Sequence, residues 1–173
     1  MKKHIDIILR YLIIALIALP NLYLFYLIFT PLTIYPLYFI LNIFFDVALT
    51  GNSLLLNGFS INIINACVAG AAYYLLFAIN MSIPGIKIRK RAYMIGFSFL
   101  SLLILNIIRI LTLILVLFYG ASFFDITHKF FWYILSTLFV VLIWFAEIKF
   151  FKIKQIPVYT DFNYLYKKAR IKK

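Results

Sequence analysis

Three residues with reactive side chains stand in stretches that otherwise suit lipid: the thiol of Cys67, the guanidinium of Arg109 and the imidazole of His128. Together they are the parts of thiol acyl transfer. A thiolate attacks a carbonyl, an imidazole moves protons, and a fixed cation stabilises the oxyanion that develops. A thiol with an ordinary pKa of about 8.5 becomes a useful nucleophile when a neighbouring cation stabilises its anion, and an imidazole near about 6.5 takes and gives protons around neutrality. Two further residues sit where they can support this set. Asn106 precedes Arg109 by three positions and shares its helix face, so its amide can orient the guanidinium or a substrate carbonyl. Asp125 precedes His128 by three and can fix the imidazole tautomer or cap a helix start. For both residues, ordinary capping or packing is an equal alternative.

The elements that must carry these groups follow from composition. The chain has 173 residues, 66% hydrophobic and only 13% charged, with mean hydropathy +1.05, far above the roughly 45–50% apolar content of a soluble domain. A soluble fold of this size would expose apolar patches well beyond the tolerated few hundred Å². The solvent for most of the chain is therefore lipid. The net charge of +12, from 17 Lys and Arg against five Asp and Glu, is concentrated in three places. These are Lys2 to Arg10, Lys87 to Arg91, and Lys149 to Lys173. Basic residues flanking apolar runs mark the cytoplasmic side of a membrane, so the charge calls for no nucleic-acid partner. One cysteine excludes an internal disulfide framework, and two distant histidines make no metal-ligand set. No phosphate loop or dinucleotide fingerprint is present, so no cofactor is expected.

Length and punctuation predict an all-α membrane protein, a single integral domain over residues 1–173. It is a compact bundle of about four transmembrane helices plus an outer-face interfacial or re-entrant segment. The spans are expected over about 5–30, 63–83, 92–119 and 128–148, each near the roughly 20 residues needed to cross a bilayer. The first is too long for a signal-peptide core and is read as a retained span, with Arg10 snorkelling to the cytoplasmic face. Residues 31–57, broken by Pro31, Pro36 and several Asn, are read as the outer-face segment, with a short interfacial helix over 38–49. Ser60 to Asn65 begins with alternating polar and apolar residues and is expected to run extended. Residues 149–173 form a basic cytoplasmic tail on lipid headgroups, and Glu147 is read as a solvated helix end beside Lys149. Both termini are then cytoplasmic.

Counting from the basic clusters places the three reactive residues at one depth. Cys67 lies about 20 residues from Lys87, Arg109 about 18 from Arg91 and His128 about 21 from Lys149. At 1.5 Å per residue all three reach a level about 27–32 Å away, near the extracytoplasmic face. Small residues around Cys67 (Ala66, Ala69, Gly70, Ala71, Ala72) let a second helix approach the thiol closely. Singly, each residue has a plainer explanation: an inert buried Cys, an interfacial His, an Arg reaching for headgroups. Their common level on three spans favours a shared site.

The stretches Ile61-Asn-Ile-Ile-Asn-Ala-Cys67-Val-Ala-Gly70 and Asn106-Ile-Ile-Arg109, followed by His128, resemble the exosortase/archaeosortase family of membrane-embedded cysteine transpeptidases. The resemblance covers about residues 58–149, and the chain is similar to a short, archaeal-type member. That family places a small residue and then Gly directly after its nucleophile, whereas here Val68 and Ala69 precede Gly70. The resemblance implies Cys67 as nucleophile, His128 as general acid/base and Arg109 as transition-state stabiliser. It further implies cleavage, at the extracytoplasmic face of the cell membrane, of secreted precursor proteins that carry a C-terminal hydrophobic sorting segment. The acyl group then passes to a lipid or amine acceptor. The competing expectation is a non-enzymatic multi-pass membrane subunit, an assembly factor or small transporter protomer, in which Arg109 pairs with Asp125 or a partner acid. A hydrolytic protease would use the same residues with water as acceptor.

Overall fold

Buried side chains recur every fourth residue at Phe25, Phe29, Thr33, Leu37 and Leu41, the spacing that puts them on one helix face. That face makes a single helix of residues 23–42 in spite of Pro31 and Pro36. Proline removes one backbone bond and crowds a carbonyl, but neighbouring helices in a membrane protein hold the turn together. The computed structural model describes residues 2–56, 58–119 and 123–171. It contains α1 (Lys2–Ala18), α2 (Tyr23–Asn42), a sheet of β1 (Val47–Thr50), β2 (Ser53–Leu56) and β3 (Phe59–Asn62), and a one-turn α3 (Asn65–Val68). There follow α4 (Gly70–Met81), α5 (Ile88–Tyr119), α6 (Phe124–Phe130), a π-helical turn (Phe131–Leu135), α7 (Ser136–Phe151) and α8 (Tyr159–Ile171).

The protein is an all-α membrane bundle carrying one small sheet. Three helical stretches are long and apolar enough to cross a bilayer: Tyr23–Asn42, Ile88–Phe118 and Phe124–Phe151. The apolar α4 is shorter. Helix α5 is the axis, packed against α2, α4, α6 and α7. An aromatic cluster links three of these helices: Phe29 lies flat on Tyr73 at 3.6 Å between ring centroids, and Phe99 meets both edge-on.

The amino-terminal third differs from the sequence expectation. Instead of one span over 5–30 there are two helices, separated at 19–22 where Asn21 and Leu22 take left-handed backbone angles after Pro20. The reason is local: proline fixes its own torsion and forces the chain into a turn. Residues 31–57 form no interfacial helix over 38–49. The α2 face runs through both prolines, and the rest alternates. Val47, Leu54 and Leu56 are buried while Ala48 and Leu55 are exposed, the period of a strand. Gly51, at φ 60°, opens the two-residue β1–β2 turn, a position where a side chain is disfavoured.

Two other expectations are corrected at the end of the bundle where α4 meets α5. Arg10 does not snorkel: it is 4% exposed and donates to Asp161 of α8 at 2.8 Å, to Asp6 at 3.1 Å and to the Met81 carbonyl at 3.2 Å. Arg91 is also buried and donates to the carbonyls of Asn80, Met81 and Ile83. Glu147 is no solvated helix end. It is fully buried, accepting from Ser98 Oγ at 2.8 Å and Asn80 Nδ2 at 3.1 Å, so it ties α7 to α5 and α4. Charged groups sealed from water persist only when hydrogen-bonded, and here most of the bonding partners come from other elements.

Candidate active site

Cys67, Arg109 and His128 meet at one cavity of about 230 Å³. They come from α3, α5 and α6. Its other walls are apolar side chains of α5, Phe124 of α6, and residues 61–64 at the end of β3.

The thiol owes its position to a broken helix. After Val68 the chain takes a left-handed conformation at Ala69 (φ 61°), which ends α3 and starts α4 in a new direction. Such a break strands carbonyls at the end of α3. Asn106 supplies donors for them: its Nδ2 bonds the Cys67 carbonyl at 2.8 Å and the Val68 carbonyl at 3.4 Å. Asn106 thus fixes the backbone that carries the thiol, and not the guanidinium one turn away. The break also brings Gly70 against Tyr26, whose ring atoms would lie 2.6 and 2.7 Å from a β-carbon placed there.

The guanidinium is 5% exposed and is anchored by a bond from Nη1 to Ser136 Oγ at 2.8 Å. Ser136 Oγ in turn donates to the Phe131 carbonyl at 2.8 Å, across the π-helical turn. That turn has a geometric effect. In an uninterrupted α-helix His128 and Ser136, eight residues apart, would point about 80° away from each other. One extra residue taken up by a π turn reduces this to about 20°, so both face α5. Among the described residues no carboxylate lies within ion-pair distance of Arg109. Its Nε–H is buried with no hydrogen-bond partner among the described residues. The guanidinium therefore offers a buried positive charge and an unspent donor at the cavity that Cys67 also lines.

His128 lies at the cavity with its ring stacked on Phe124 at 5.6 Å and 13°, a contact that fixes the plane of the imidazole. Asp125 is exposed in the first turn of α6 and does not line the cavity.

Comparison of the chain with family models, curated proteins and solved structures gave no match. The chemistry is therefore argued from the site itself. Sequence reasoning missed Ser136, because a serine within an apolar helix is common and no local pattern announces a π turn. It also missed β3 as a wall of the cavity. The alternation over Ser60 to Asn65 was the available signal for that strand, but nothing in it placed the strand beside the thiol.

Proposed function

We propose that the chain is a membrane-embedded cysteine transpeptidase of exosortase/archaeosortase type. On this reading it cleaves C-terminal sorting segments of secreted surface proteins and passes the new terminus to a lipid or amine acceptor. The observation that carries the reading is the convergence of Cys67, Arg109 and His128, from three helices, on one cavity, with the buried Arg109 Nε–H lacking a partner among the described residues.

The reaction uses these groups in turn. His128 takes the proton of Cys67, and the thiolate attacks the scissile carbonyl. Arg109, through its free Nε–H and its charge, stabilises the oxyanion in a site where low polarity strengthens that attraction. Collapse of the adduct breaks the C–N bond; His128 returns the proton to the departing amine, leaving a thioester on Cys67. An acceptor hydroxyl or amine then gives its proton to His128, attacks the thioester and frees the thiol. A precursor tethered by a membrane-spanning tail arrives at fixed depth, so encounter is a lateral search.

The backbone at Ala69 lends support. The family's pattern has Gly two residues after the nucleophile, the position that Ala69 occupies here, and Ala69 is held in the left-handed conformation that glycine adopts without strain. On this reading Lys87 to Arg91 and both termini are cytoplasmic, as the basic flanks favour, and the cavity lies toward the other face. Of the two pairings expected for a non-enzymatic subunit, Arg109 with Asp125 or with a partner acid, the first is absent among the described residues.

The deciding experiment compares membranes of the source cell carrying the wild-type chain or Cys67→Ala, by intact mass spectrometry of surface proteins ending in a hydrophobic segment and basic residues. Tails are expected to be lost only with wild type. The mass added at the new terminus then identifies water, amine or lipid as acceptor. Identical processing at matched protein levels overturns the reading and favours the non-enzymatic membrane subunit.

A further inference from the structure

The sheet has an open edge, and that edge runs into the cavity. Strand order is β1-β2-β3, so among the described residues β3 has a partner on one side only. Its register pairs Phe59 with Leu56, Ile61 with Leu54 and Asn62 with Ser53, and the Ile63 N–H bonds the Asn52 carbonyl at 3.0 Å. Antiparallel pairs alternate between bonded and non-bonded positions. A bonded pair at 63 and 52 makes 61 and 59 the residues that turn their backbone groups toward β2. The backbone N–H and C=O of Ser60 and Asn62 therefore point away from the sheet. Both residues are exposed, and neither forms a backbone hydrogen bond to any other described element.

Such an edge is normally blunted by proline, by lysine or by a covering segment. The sequence Phe59-Ser-Ile-Asn62 carries neither residue. A partner that pairs with this edge must bring backbone-like hydrogen-bonding groups of its own. Position says what those are: Ile61 and Asn62 line the same cavity as Cys67, Arg109 and His128. An acyl donor must present a carbonyl to the thiol, and a peptide does so most simply in extended form.

We propose that the peptide to be cleaved binds as a fourth strand on the open edge of β3, its main chain bonded to Ser60 and Asn62 and its scissile carbonyl carried into the cavity. This rests on the acyl-transfer reading above. Recognition by strand addition takes affinity from the main chain, and alternate side chains of the added strand face opposite sides of the sheet. Two substrate residues separated by one would bond to β3, so a motif of only a few residues is read here. The site therefore constrains conformation more than side-chain identity.

The test follows processing of surface-protein tails in the same membranes, with Ser60→Pro and Asn62→Pro against Ser60→Ala and Asn62→Ala. Proline removes the outward N–H while leaving the bonds to β2 in place, and it is tolerated on edge strands. Alkylation of Cys67 by iodoacetamide reports independently on the integrity of the thiol site. The proline variants are expected to slow tail loss tenfold or more relative to the alanine variant at the same position, with alkylation within about twofold of wild type. Should proline disturb the strand, seen as altered alkylation, a photo-crosslinking p-benzoylphenylalanine replaces Ser60 in the Cys67→Ala chain. The adduct is then expected on the precursor segment just before its hydrophobic tail. Wild-type processing rates in the proline variants, equal slowing in the alanine variants, or an adduct confined to the hydrophobic tail overturns strand addition while leaving the transpeptidase standing. Absence of processing by wild type itself overturns both.

Discussion

At the scale of single residues, the site is defined by what is left unsatisfied. Arg109 spends one guanidinium nitrogen on Ser136 and keeps Nε–H buried and unpaired. A planar guanidinium can hold Ser136 and an oxyanion at once; an ammonium is a point charge without that fork. Arg109→Lys is therefore expected to lower the rate of tail loss by about 10²–10³, the usual loss for one oxyanion donor, with Cys67 alkylation still measurable. Asn106 makes a different prediction. Its amide serves two backbone carbonyls and touches no substrate in the mechanism. Asn106→Ala leaves both carbonyls unpaired, at a cost of about 1–3 kcal/mol, read as a lower midpoint of thermal denaturation in detergent. Asn106→Asp replaces the donor with an acceptor facing two carbonyls and should be worse than alanine. Glu147 belongs to the same class of buried polar supports, and no sequence pattern announces it: the residue sits near Lys149, where a solvated helix end is the natural reading. Only packing shows that its face meets Ser98 and Asn80.

At the scale of elements, the irregular places do the positioning. The break at Ala69 and the π turn at 131–135 interrupt helices that composition alone would run straight through. Ala69→Gly is expected to stabilise the chain by up to about 1 kcal/mol, since the left-handed strain is relieved and partly offset by the freer unfolded chain. Gly70→Ala is expected to do the reverse, because its new methyl meets the Tyr26 ring. Gly70→Ala with Tyr26→Ala should recover part of the loss, a coupling that a double-mutant cycle in thermal denaturation detects. These irregularities also explain what the sequence could and could not tell. The long apolar helices over 88–118 and 124–151 were legible, because hydropathy is a property of the chain itself, and counting along a fixed helical rise was enough to group Cys67, Arg109 and His128, which line one cavity. The turn at 19–22 and the sheet at 47–62 were not. Pro31 and Pro36 read as helix ends, yet the buried stripe of α2 on α5 overrides them. The strands are only four residues each, and alternation that short is easily masked in a chain so rich in Leu and Ile.

At the scale of the whole molecule, the cationic clusters and the reactive cavity occupy opposite ends of α5: Arg91 lies near its start and Arg109 well along it. Their separation of about 18 residues corresponds to roughly 27 Å, close to the thickness of the hydrocarbon layer. The end near Arg91 is tied together across the whole chain, since Arg10 of α1 and Asp161 of α8 form a buried ion pair that also reaches the Met81 carbonyl. Removing one member of such a pair leaves the other charge buried, typically at about 3–5 kcal/mol, whereas replacing both by apolar residues costs much less. Arg10→Met is accordingly expected to lower the denaturation midpoint more than Arg10→Met with Asp161→Leu. The same clasp holds Arg10 of α1, the α4–α5 junction and α8 together, so the loop at Lys90 and the end of α8 are expected on one side of the membrane. A cysteine introduced at exposed Lys90 and another at exposed Arg170, each in the Cys67→Ala chain, must then give the same answer to an impermeant maleimide. With basic residues retained inside, neither is labelled in intact cells and both are labelled after permeabilisation. Labelling of both from outside would invert the protein and put the cavity toward the cytoplasm, where secreted precursors could not present their tails. Labelling of one alone would mean that the Arg10–Asp161 clasp does not form in the membrane.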